Sequence, residues 1–306
     1  MTKKNLSNLH LKVNDEMGFT LNSKHQLLAQ LNITTAHLPE EESPKPCFHP
    51  IYTPSGQLIS EYRPDDHRWH TGLFFGWVHV NDTNFWGGSW YLPENNQYVS
   101  VPNSHGIQRH DEFTPVIHLE KGVAIGEKLT WIDRHKKSIV MENRRYVFLE
   151  TEINGACIWL IESEITPIAG EIVLGASRAA KYSGLVLRMG PPFADAFHTS
   201  SSGLRGHESI MRSKNKWVSA AGASGGMVVM MDHPHNPGYP GSWFTRKNLL
   251  GSGFLMDGDL VLSQSETLHL RYGFLVVDNV LDENSIGHLY QTYLNESESL
   301  KTQFQT

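Results

Sequence analysis

The stretch ETLHLRYGFLVVD, Glu266 to Asp278, decides the fold class. It is rich in Leu, Val and aromatic residues and reads as a long strand. Shorter runs of the same kind recur along the chain. They include SNLHLKVND (7–15), where Leu9, Leu11 and Val13 alternate with polar neighbours, then CIWLIESEI (157–165) and GEIVLG (170–175). SGLVLRM (183–189), GGMVVMMD (225–232) and GDLVLS (258–263) complete the set. Gly, Pro, Asn and Asp bound these runs, and Asn154-Gly155 reads as the turn of a hairpin from Ile153 to Ile161. The glycines between Gly222 and Gly226 give a flexible lead into a buried strand.

Strands over almost the whole length, with no βαβ alternation, predict an all-β fold: a large antiparallel two-sheet sandwich in a single domain, 1–306. Helix signals are few. Ile286, Leu289, Tyr290, Tyr293 and Leu294 share one 3.6-period face after Asp282, a good N-cap, which predicts a short C-terminal helix over Asp282–Leu294. The segment LNSKHQLLAQL (21–31) fits either a helix or a strand, and Glu40–Pro46 reads as a surface loop.

Composition narrows the function classes. The chain has 306 residues, is 39% hydrophobic and carries a net charge of −6, with no Lys/Arg-rich face to track a nucleic acid. The basic clusters Arg134–Lys137 and Arg144-Arg145 read as solvated. Cys47 and Cys157 form no disulfide framework. The N-terminus lacks an apolar signal region, and no run reaches the roughly 18 apolar residues that cross a bilayer, so the expected location is the cytoplasm. Walker A, dinucleotide, Gly-x-Ser-x-Gly, Cys-x-x-Cys and His-Glu-x-x-His motifs are all absent.

Seventeen histidines are the unusual feature, and they gather in polar clusters. RPDDHRWHTGLFFGW (63–77) packs Arg63, Asp65, Asp66, His67 and His70 ahead of an apolar strand, with Trp69 among them. Pro64 keeps Arg63 out of a helix, and on a loop His67 and His70 can converge while Asp66 orients an imidazole. That arrangement suits general acid–base chemistry, a metal site with carboxylate support, or a buried hydrogen-bond network. DHPHNPGYPGSWFTR (232–246) has the same build. Asp232 and His233 leave a strand, Pro234 and Pro237 stiffen the loop beyond them, and Asn236 offers a donor and an acceptor. Trp243 could stack on a sugar, and Arg246 could clamp an anionic or hydroxyl-rich group. In the third segment, SHGIQRHDEFTPVIH (104–118), His110 is the favoured candidate and Gly106 permits a tight turn. Arg188 leaves an apolar strand and needs a partner, either Asp195 or a ligand carboxylate.

Six blocks carry a family resemblance: HPIYTPSGQ (49–57), RPDDHRWHTGLFFGW, VNDTNFWGG (80–88), SGLVLRMGPPF (183–193), MDHPHNPGYPGSWFTR and LRYGFLVVD (270–278). In this order they resemble an uncharacterised bacterial family that goes under the name PmoA or methane oxygenase. The resemblance implies a β-supersandwich similar to galactose mutarotases and a carbohydrate substrate. No glutamate in these blocks matches the base that mutarotases use, which argues against simple mutarotation.

The resulting expectation is a cytoplasmic sugar-modifying enzyme (epimerase, lyase or glycoside-cleaving). His67, His70, Asp66, His110, Asp232 and His233 would carry acid–base chemistry, and Arg63, Trp69, Arg188, Asn236, Trp243 and Arg246 would hold substrate. The loops bearing His67/His70, His110 and Asp232/His233 are expected to meet in one cleft, with no cofactor and no metal. The expected partner is a small carbohydrate, not nucleic acid or membrane, with homo-oligomerisation left open. The alternatives are a non-catalytic sugar-binding or regulatory module, with Trp69, Trp86 and Trp243 as its platform, and a metal-dependent oxygenase.

Overall fold

Glu266–Asp278 becomes the strand Leu268–Val277, at the centre of a nine-stranded antiparallel sheet in the structure, a computed structural model that describes residues 7–24, 26–34, 37–153 and 156–304. Its neighbours are Cys157–Pro167 and Met227–Asp232. Leu268, Leu270, Tyr272, Phe274 and Val276 point into the space between two sheets, whereas Leu275 and Val277 point the other way. That outer side is covered by the C-terminal helix, so the far half of the strand is buried on both faces. A continuous apolar run is the sequence signature of that situation.

The second sheet has eight strands, in the order Leu9–Asn14, Gly18–Ser23, Gln26–Asn32, Cys47–Ile51, Leu73–Gly76, Gly184–Arg188, Leu249–Ser252, Trp243–Arg246. Every pairing between these strands is antiparallel. The expected large antiparallel two-sheet sandwich is therefore the fold observed. The ambiguous segment 21–31 falls in two paired strands, not a helix. Strands Ser138–Glu150 and Cys157–Pro167 pair as the hairpin reading required, although Asn154 and Gly155 lie outside the described residues.

The C-terminal helix runs over Glu283–Phe304, longer than expected, because Ser297 and Leu300 continue the buried face of Ile286, Leu289, Tyr290 and Tyr293. Asp282 caps it, its Oδ1 accepting from Ser285 N at 2.7 Å. Among the described residues no helix is long and apolar enough to cross a membrane.

Two readings of charged segments need correction. Glu40–Pro46 is not a plain surface loop: Glu42, Ser43 and Lys45 are buried. The Lys45 ammonium donates to the carbonyls of Glu42, Ser43 and Trp86, at 3.2, 2.9 and 2.9 Å. Arg144 is likewise not solvated. It lies on the inner face of its strand, bonded to Glu142 and Gln108, with its guanidinium over the Phe75 ring. Each buried charge is tolerated because it is hydrogen-bonded where it lies, Lys45 to three carbonyls and Arg144 to a carboxylate.

What positions the site is the smaller sheet's outer face. Along Leu73–Gly76 and Gly184–Arg188, Leu73, Phe75, Leu185 and Leu187 enter the core between the sheets, while Phe74 and Val186 face outward. A period of two sends Phe244 and Leu249 outward with them. Instead of a helix, long loops bearing Tyr62, Trp69, Trp86 and Tyr182 cover this face.

Candidate functional site

The loop from Arg63 to His70 consists of two successive turns, closed by His67 N to Pro64 O (3.0 Å) and His70 N to His67 O (2.9 Å). Arg63 N donates to His70 O at 2.7 Å and seals the base. Arg63 adopts a positive φ of 52° and forks onto buried Glu42, both contacts at 2.7 Å. Bidentate guanidinium–carboxylate geometry fixes orientation as well as charge. Arg63 thus clamps the loop and is not among the residues that line the cavity beside it.

Held this way, Asp66, His67, Trp69 and His70 line one wall of a cavity of about 500 Å³. The Trp69 ring lies on Gly87-Gly88, where a Cβ on Gly88 would come within 2.5 Å of it. Trp86, Tyr98 and Tyr182 add aromatic walls, and the sheet supplies the floor: Arg188, Phe244, Arg246, Asn248 and Leu249. Strand register puts Arg188 and Arg246 on either side of Leu249.

The polar groups form a chain. Arg188 Nε donates to Glu61 Oε2 at 2.9 Å, and its Nη2 lies 3.3 and 3.4 Å from the Asp66 oxygens. Asp195, the partner considered from sequence, instead pairs with Lys247 at 2.8 Å. Asp66 Oδ2 is 2.9 Å from His67 Nδ1. Burial works against the Asp66 charge, but the His67 hydrogen bond and Arg188 outweigh it and hold the carboxyl below its ordinary value. An ionised carboxylate only accepts, so His67 Nδ1 carries the proton that faces it, and in the neutral ring Nε2 holds a lone pair. His70 stacks on His67, centroids 4.8 Å apart. Burial, then the positive charges of His67 in its protonated form, Arg188 and Lys45, push His70 well below 6.5 and keep it neutral.

The other predicted residues lie elsewhere, so the expected single cleft is not formed. His110, on the strand Ile107–Phe113, bonds through Nδ1 to buried Glu127 Oε1 at 2.9 Å, and Tyr146 holds the other oxygen. Gly106 has no positive φ. A Cβ there would fall 2.4 Å from the Phe85 ring, so packing rather than a turn selects glycine.

Asp232 uses both oxygens on its own loop, accepting from His233 N (2.9 Å), Asn236 Nδ2 (2.7 Å) and Gly241 N (2.7 Å). Asn236 also clamps the Arg271 backbone in both directions at 2.7 Å. His233 is buried edge-on against Tyr293 of the C-terminal helix, on the outer side of the larger sheet. Trp243 lies in the core, donating Nε1 to Asn215 O at 2.8 Å, because it alternates with Phe244 and Arg246 along its strand.

Sequence reading passed over Tyr98, Tyr182, Phe244 and Asn248. The strand period could have found Phe244, since it shares a face with Arg246 whereas Trp243 does not.

One group among the described residues could approach a metal: His233, His235 and Glu298, with ligand atoms within 4.8 Å of one another. The Arg271 guanidinium, however, stands 2.9 Å from His235 Nδ1, where it occupies a nitrogen the ion would need.

Residues 19–291 match the model of DUF6807, described as a family of unknown function, and the chain belongs to that family. The match does not carry the methane oxygenase name. No curated protein matches the sequence. Among solved structures the chain is similar to a mutant heparan sulfate lyase HepC from Pedobacter heparinus (TM-score 0.43, 9% identity, 90% of this chain and 37% of that one). It is similar as well to the galactosidase domain of the alpha-galactosidase-sucrose kinase AgaSK (0.39, 12%, 88% and 42%). A galactose mutarotase related enzyme from Lactobacillus acidophilus is similar at 0.34 and 9%, covering 90% of this chain and all of that one. The chain spans well under half the length of the first two. At these scores the likenesses carry no argument about activity.

Proposed function

From a family without an assigned function, we propose that this chain is a carbohydrate-active protein that performs acid–base chemistry on a sugar in the cavity above the smaller sheet. The observation that carries the reading is the 2.9 Å contact between Asp66 and His67 on the wall of a cavity lined by Trp69, Trp86, Tyr182 and Phe244. Aromatic faces suit the C–H surfaces of a sugar ring, and a small set of polar groups fixes its orientation. His67 Nε2 would take a proton from a sugar hydroxyl or from a carbon beside a carbonyl. Asp66 stabilises the imidazolium that forms, as an orienting carboxylate does in general-base pairs. Arg188 keeps Asp66 ionised and in place. An epimerase or a lyase acting beside a carbonyl begins from such a base, whereas hydrolytic cleavage of a glycoside would also need an acid for the leaving oxygen.

The aromatic lining alone supports the second reading, a sugar-binding module without chemistry. A panel of sugars and 3-keto-sugars, scored by thermal shift against wild type and Trp69→Ala, tests binding, since a ligand of the native state raises apparent stability. Proton NMR in D2O then separates the two readings. Deuterium entering a carbon beside the carbonyl, and no longer entering with His67→Gln, supports chemistry. Saturable binding without exchange supports the module. No stabilisation by any sugar would overturn both.

A further inference from the structure

Resting on that reading, we infer that the cavity takes a sugar bearing a carboxylate, a uronate or aldonate, with Arg246 as the subsite for its charge. Among the described residues Asp66 is the carboxylate of the lining, with Glu61 behind it, and Arg188 holds both while His67 also bonds Asp66. Arg188 is itself committed, with Nε on Glu61 and Nη2 on Asp66. His70 is neutral.

Arg246 differs. Among the described residues no carboxylate lies within ion-pair distance of it, and it donates from Nη1 to the adjacent Thr245 carbonyl at 2.9 Å. Its guanidinium carbon sits 4.9 Å from the Phe244 ring centroid, which holds the planar group over an apolar surface without using up its donors. The next residue, Lys247, is drawn away to Asp195, and Asn248 turns back to line the same cavity.

Two strand spacings separate the positions of Arg188 and Arg246, about 10 Å, since Leu249 pairs with both. One sugar ring can therefore lie between the Asp66–His67–Arg188 cluster and the Arg246 fork. A guanidinium with free donors recognises a carboxylate in the plane of its fork. A single guanidinium without an ion-pair partner suits a carboxylate better than a phosphate dianion, which usually gathers several cations or backbone N–H groups.

The experiment is calorimetric titration of wild type, Arg246→Met and Arg246→Lys with glucose and glucuronate, galactose and galacturonate, and glucose 6-phosphate. Arg246 is exposed, so these variants are expected to melt as wild type does. The inference predicts that each acid binds wild type about tenfold or more tightly than its neutral parent, the scale of one charge-assisted contact. It also predicts that the preference vanishes in Arg246→Met, survives in part in Arg246→Lys and shrinks with added salt. Neutral sugars binding as tightly as their acids would overturn this inference and leave the carbohydrate reading standing. A preference that persists in Arg246→Met, or tighter binding of the phosphate, would overturn it as well. Silence from every sugar would overturn both.

Discussion

Two loops of nearly the same composition, Arg63–His70 and Asp232–Arg246, do different work. Each offers an Asp-His pair, proline, tryptophan and arginine. In the first, Asp66 reaches across to His67 and Arg188, and its side chain is 58% exposed at a cavity wall. In the second, Asp232 is 4% exposed and turns back on three donors of its own loop. The tryptophans part in the same way: Trp69 is half-buried over the cavity, whereas Trp243 is 1% exposed in the core. Residue type states what a loop is able to do; what covers it decides which option is taken. The Asp232 loop lies beside a helix that closes over the larger sheet, whereas among the described residues loops and the short hairpin that carries Tyr98 lie above the smaller sheet.

If that contrast holds, the tryptophans should separate most widely. Trp243→Ala should cost about 3–5 kcal/mol of unfolding free energy, the range for deleting a fully buried aromatic. Trp69→Ala should cost about 1–2 kcal/mol, in keeping with partial burial, while abolishing ligand stabilisation. Urea titrations with and without ligand measure both, and equal destabilisation would erase the distinction.

The carboxylates come next. Asp232→Asn replaces an acceptor with a donor facing Gly241 N or the Asn236 amide, a loss of about 1–3 kcal/mol. Asp66→Asn should cost less than about 1 kcal/mol, since its pairs are largely solvated. A melting temperature that falls as far for Asp66→Asn as for Asp232→Asn would count against a structural role for one and a functional role for the other.

The smallest effect is a pH slope. Burial lowers the histidines His70, His49 and His105, and takes His79 and His198 to about 4, from an ordinary 6.5. Below pH 6.5 the unfolded chain takes up protons that the folded one refuses. Stability should therefore be highest above that pH and decline as pH falls toward 4, by about 1.4 kcal/mol per pH unit for each histidine fully engaged. Denaturation curves at pH 7.5, 6 and 5 test it, and a flat profile would mean that these imidazoles are not buried neutral.

The architecture was legible because strand periodicity is local: Glu266–Asp278 announces its burial without reference to any other segment. The cap at Asp282 and the apolar helix face were legible for the same reason. Half of the twelve candidates fall at the cavity, since Asp66, His67, Trp69, His70, Arg188 and Arg246 all line it. The other candidates were assigned by composition, and composition does not encode who the neighbours are. Glu42 as the partner of Arg63, Glu127 as the partner of His110 and Tyr293 against His233 are contacts between segments far apart in the chain. The exception is Trp243, where counting by two along one strand separates a core residue from the cavity floor.

Deuterium wash-in, read by NMR on a bound sugar, is the most direct test when run side by side on Asp66→Asn and Asp232→Asn. The Asp66–His67 account predicts that Asp66→Asn loses exchange by about a hundredfold or more, the usual weight of a positioned base, and that Asp232→Asn, assayed where it remains folded, exchanges as wild type does. Undiminished exchange in Asp66→Asn, or an equal loss in folded Asp232→Asn, would contradict it.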